Sequence, residues 1–189
     1  MPNQIELSKK AREGMVQSAF MLAAFTVFWA AFLFWGFGLN ALSAIGCAVF
    51  VVAAVFLFRG AAKARRTISQ MPDGPADPED KRAGTRWTII FSVQGGVIGA
   101  ACAVLGVQGQ YQYIVPAVVL IVGAHYFPLG TIYRTKIHFI VGAVVVLVAV
   151  FGIVSQALGL LDIRAIGICA IAAALSTIIL GAYILRMLR

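Results

Sequence analysis

The chain has 189 residues, 61% hydrophobic and 12% charged, with a mean hydropathy of +0.94. A water-soluble domain is about half apolar and a quarter charged. Too few charges exist here to cover a water-facing surface, so lipid is the expected solvent and one helical domain the expected unit. The net charge is +8, but the cations sit at the ends of apolar runs. Their counter-charge is then membrane lipid headgroups, and nucleic acid is excluded as a partner.

Residues 1–15 read as a cytoplasmic or interfacial segment. Glu6 and Lys10, and Lys9 and Glu13, stand one helical turn apart, which favours a helix lying on the surface. The apolar run 16–37 is too long for a signal-peptide core, and no small-residue cleavage site follows it. It reads as a retained first span, opening a single transmembrane domain over 16–189. Its aromatic residues, among them Phe20, Phe25, Phe28, Trp29, Phe32 and Trp35, occupy every face, which places this helix at the lipid-exposed edge.

Five more runs of about 20 apolar residues follow, at 39–58, 87–107, 112–133, 137–158 and 165–185. None alternates as a barrel strand would, and only helices satisfy their own backbone in lipid. The fold is therefore all-α and polytopic, with six transmembrane helices. The connections 38–40, 108–111 and 159–164 are short. The connection at about 60–86 is long, and its residues 61–70 continue the second span as a basic helix. Pro72, Gly74 and Pro75 then break it. This loop is a solvated linker and a place where a protein partner can dock.

Fourteen of the fifteen Lys and Arg residues fall on one side of such a six-span chain; only Arg164 falls on the other. The positive-inside rule puts the loaded side in the cytoplasm. Both termini are then cytoplasmic, and the spans form three outward-pointing hairpins. Gly38-Leu39 with Ala44-Ile45-Gly46 is echoed by Gly159-Leu160 with Ala165-Ile166-Gly167, consistent with a duplicated hairpin.

Candidate functional residues are the polar groups inside spans, where they are costly. No Asp, Glu, Lys or Arg lies deep in any run, which argues against a carboxylate proton relay and against a voltage sensor. The third run carries Gln94 among Ser92, Gly95, Gly96, Gly99, Ala100 and Ala103. Gly95 and Gly99 form a GxxxG pair, so this helix is expected at the centre, packed on two sides. The fourth run carries His125, Tyr126 and Pro128 between Gly123 and Gly130. Pro128 deprives the Ala124 carbonyl of its helical partner, and the two glycines admit a neighbouring helix. His125 beside that carbonyl is the leading candidate for a ligand site, with Tyr126, Gln94 and His138 as further cavity residues. The bland alternative is a histidine bonded within the bundle.

His125 and His138 differ in depth and lack a carboxylate partner, and Cys47, Cys102 and Cys169 share no ligand spacing. No metal, haem or other cofactor is expected. No nucleophile–base pair, P-loop or HExxH pattern is present, so no catalytic residue is assigned.

The stretch from Gly123 through His125-Tyr126-Phe127-Pro128-Leu129 to Arg134 and Gly142, about twenty residues, resembles a motif of small uncharacterised bacterial multi-pass membrane proteins. In those a His-aromatic-x-Pro-Leu stretch precedes a basic turn and another span. The resemblance implies a bacterial inner-membrane protein and points to His125 and Pro128, without implying an activity. Two function classes follow. One is a small transporter, channel or lipid-handling protein with a cavity near His125, working as a homo-oligomer. The other is a non-catalytic scaffold, immunity or stress-response protein.

Overall fold

The computed structural model describes residues 8–72 and 78–188, all as helices and short connections. The helices are α1 (Lys9–Phe37), α2 (Ala41–Ser69), α3 (Pro78–Val107), α4 (Ile114–Tyr133), α5 (Lys136–Ala157) and α6 (Arg164–Met187), with a 3-10 turn at Tyr111–Tyr113 before α4. All six are long and apolar enough to cross a membrane.

Helix ends follow local chemistry. The Ser8 side chain accepts the Ala11 N–H at 3.1 Å and starts α1. Residues 9–15 are thus the first turns of that helix, and residues 1–7 lie outside the described ones. Asn40 caps α2 by accepting the Ser43 N–H at 3.0 Å. Pro78 occupies the first position of α3, where its missing N–H costs nothing. The long loop shrinks accordingly, because α2 runs on through its basic residues to Ser69 and α3 begins nine residues before the apolar run at 87. The break at 73–77 lies outside the described residues. Each short connection between α1 and α2, α3 and α4, and α5 and α6 holds one glycine at positive φ: Gly38 at 79°, Gly109 at 69° and Gly159 at 65°. Side chains rarely tolerate that backbone.

α6 is the hub. It packs on α1, α5, α4 and α2. Half of its most apolar stretch is buried, against none of that of α3. Its buried residues are mostly small, among them Ala165, Gly167, Ala170, Ala173, Ala174, Ser176 and Thr177, which lets several helices approach at once. α1 lies along it. Val16, Ala19, Ala23, Thr26, Ala30 and Leu33 are buried in alternating steps of three and four, the spacing of a coiled-coil seam. Thr26 meets Thr177 and Gly36 meets Gly167. Ten residues along α1 thus match ten along α6 in the opposite direction, so the two helices run antiparallel in register.

Two expectations are corrected. α3 is not central: it packs chiefly on α4, and a side chain added at Gly95, Gly96 or Gly99 would meet nothing within 4 Å. The small residues of α3 leave its outer face open instead of joining it to a second helix of the same chain. Nor is α1 at the rim. Trp29 is buried, while Phe25, Phe28, Trp35 and Phe37 remain exposed, so its aromatic residues divide between core and periphery.

The basic ends of the helices come together. Met15 and Val16 of α1, Ala61 and Ile68 of α2 and Ile184 of α6 form one apolar cluster there. Met15, Tyr133, His138 and Met187 enclose a small space beside it.

Candidate functional site

The polar side chains within the bundle fall into three groups. The deepest lies on α6. Thr26 of α1 and Thr177 share a hydrogen bond of 2.8 Å, and the adjacent Ser176 bonds the Tyr126 hydroxyl of α4 at 3.1 Å. Neighbouring positions on one helix point in different directions, so α6 offers Thr177 to α1 and Ser176 to α4. Backbone carbonyls complete the set: Thr26 reaches Leu22 at 2.8 Å, Ser176 reaches Ala173 at 2.7 Å and Thr177 reaches Ala174 at 2.8 Å. Tyr126, Thr26, Ser176 and Thr177 are all at most 2% exposed.

The second group surrounds His125. Its Nδ1 donates to the Val122 carbonyl of its own helix at 2.6 Å, not to the Ala124 carbonyl that Pro128 releases. Its ring meets Phe91 of α3 edge-on at 5.4 Å and lies 4.6 Å from the Tyr126 ring. α4 continues as a helix through Pro128, which is exposed. Gln94 stands one turn along α3 from Phe91. Its Oε1 is buried and has no hydrogen-bond partner among the described residues.

The third group closes the basic end. Nδ1 of His138 and the Thr135 hydroxyl are 2.5 Å apart, and the His138 ring stacks on Tyr133 at 5.4 Å. The Tyr133 hydroxyl faces Ser18 of α1 and Trp87 of α3. Beside them lies a cavity of about 10 Å³, room for one water molecule. Arg134, in the left-handed region at φ 50°, ends α4 and turns the chain into α5.

The sequence candidates are therefore distributed rather than assembled. Tyr126 joins α4 to α6, His125 joins α4 to α3, and His138 folds back on its own turn. Gly123 lies against Val145 and Val146 of α5, where an added Cβ would come within 3.0 Å. Gly130 lies against the Phe139 ring of α5, where an added Cβ would come within 2.7 Å. Cys169 packs on Gly152 of α5, apart from Cys47 and Cys102, which are only half-buried. No group of three His, Cys, Asp or Glu is placed to hold a metal among the described residues.

Sequence reasoning missed Thr26, Ser176 and Thr177. The available signal was three hydroxyls inside apolar runs, two of them adjacent in a helix of small residues.

Fold and polar interior together define an α-helical multi-pass membrane protein. Residues 89–185 match the profile of a family of unknown function, DUF7010. That is just over half of the chain, which belongs to this family. The match covers the membrane-crossing part of α3 and nearly all of α4, α5 and α6, with His125, Tyr126, Gln94 and Ser176 inside it. No curated protein and no solved structure matches the chain.

Proposed function

We propose that the protein is a non-catalytic scaffold of the bacterial inner membrane that meets its partners from the side. In this reading its six helices form three outward-pointing hairpins with both termini in the cytoplasm. Charge supports the sidedness: among the described residues, thirteen of fourteen Lys and Arg lie toward the converging helix ends, and only Arg164 lies at the other.

One observation carries the scaffold reading. The hydroxyls at mid-membrane depth are paired across helices, Thr26 with Thr177 and Tyr126 with Ser176. A solute pathway needs polar groups facing a space, and these face each other. The lateral surface is different. The outer face of α3 carries Ser92, Gly95, Gly96 and Gly99 uncovered, a surface suited to another helix, including that of a second copy. The basic continuation of α2 offers a cytoplasmic protein partner a charged landing.

The test is flux. The full chain is reconstituted into liposomes loaded with ions and small solutes. A scaffold gives a leak no greater than protein-free liposomes, unchanged by H125A. A protein-dependent flux abolished by H125A would overturn the reading.

A second reading, a small transporter, channel or lipid-handling protein with a cavity near His125, is favoured by the buried, unpartnered Oε1 of Gln94. It belongs to the helix packed chiefly from one side, where a small outward movement of α3 would admit a polar solute. On that reading Q94L and H125A both change flux.

A further inference from the structure

Between α3 and α4, at the basic end of the bundle, an open groove of about 330 Å³ is lined by Arg86, Ile89, Ile90, Pro128, Thr131 and Ile132. The Thr131 hydroxyl donates to the Pro128 carbonyl at 2.7 Å and is satisfied within its own helix. The walls are otherwise aliphatic, which leaves Arg86 as the one charged group. Arg86 is exposed, and no described residue bonds its guanidinium. Arg82 stands one turn nearer the helix end on the same face of α3. Trp87, next to Arg86, is a residue type that gathers at headgroup level. Pro128 lies six residues inside Arg134, so the groove runs along α4 for about 9 Å away from the basic end.

We propose that this groove seats one anionic phospholipid, with its phosphate on Arg86 and an acyl chain along Ile89, Ile90 and Ile132. Positive charge at the mouth and an apolar floor running toward the bilayer core match the two halves of that molecule. Free phosphate would use the charge and leave the floor unfilled. A second copy packed symmetrically on the groove would set Arg86 against its own equivalent. The proposal takes from the scaffold reading only that the basic end faces the leaflet richer in anionic lipid. The test below uses detergent solution, so an error in topology leaves its outcome unchanged.

The full chain, purified in detergent, is titrated with phosphatidylglycerol and with phosphatidylcholine of the same acyl chains, and bound lipid is read by native mass spectrometry. One phosphatidylglycerol per chain is expected in preference to phosphatidylcholine. R86Q should weaken that binding about fivefold, and R86K should restore most of it. I89W, which fills the groove at an exposed position without touching charge, should weaken both lipids. It keeps the test decisive if R86Q folds poorly. K63Q, which removes a like charge from α2, should leave binding unchanged. Equal retention of the two lipids, or unchanged binding in R86Q or I89W, overturns the proposal. Displacement of the lipid by inorganic phosphate would do the same, as would a lipid-free dimer cross-linked through the groove.

Discussion

Thr26 and Thr177 show how little a sequence says about a hydroxyl in a membrane helix. Thr88 bonds the carbonyl of Gly84, four residues back, and no other described residue. Thr26 makes the same local bond and also reaches another helix. Both patterns read identically from residue type, so the interhelical pair was not legible, whereas His125, Tyr126, His138 and Gln94 stood out by rarity. Interhelical hydrogen bonds in membranes are worth about 0.6 kcal/mol on average and up to about 1.7. T26V and T177V should each destabilise the detergent-solubilised protein by about 1 kcal/mol, and the double variant by less than the sum. Unfolding curves of the four proteins check this; strict additivity would mean that the pair does not couple. H125F should keep stability within about 1 kcal/mol of the parent, because the ring contacts survive and the lost bond is to the residue's own helix. A loss of several kcal/mol in the same unfolding assay would show a partner that the local bond does not explain.

At the scale of elements, small residues announced that helices approach closely but not which ones. The GxxxG pair of α3 is open on its glycine face, while Gly36 and Gly167 meet where α1 crosses α6. A Cβ at Gly36 would fall on the Gly167 backbone, a clash that no side-chain rotation relieves. G36A should therefore cost about 2 kcal/mol or more, whereas G99A should be neutral or stabilise α3 by up to about 1 kcal/mol. Thermal unfolding of both variants in one detergent decides it, and equal losses would mean that α3 is buried in the working molecule. The six helices themselves were legible, because about twenty apolar residues in lipid leave no other economical choice. The helical extension of α3 back to Pro78 was not, since residues 78–86 carry charge and no apolar run. The central position of α6 was only half visible, in its density of Ala, Gly, Ser and Thr; an apolar core that does not drive helices together gives position no stronger signature.

The whole molecule pairs the hydroxyls deep inside the bundle with one another and leaves the outer face of α3 open. The charge distribution adds that reporters fused to the two termini should both register the cytoplasm; both outside would reverse the assignment, and opposite faces would contradict six spans. The most direct test concerns the interior. In a variant whose three native cysteines are replaced by alanine, single cysteines are placed at Gln94, Ala173 and Ser176 and exposed to a membrane-impermeant thiol reagent from each side. The scaffold account predicts no labelling at any of the three from either side, with rapid labelling of a control cysteine at Arg66. Modification at Gln94 or Ser176 would reveal water reaching the middle of the bundle and contradict it.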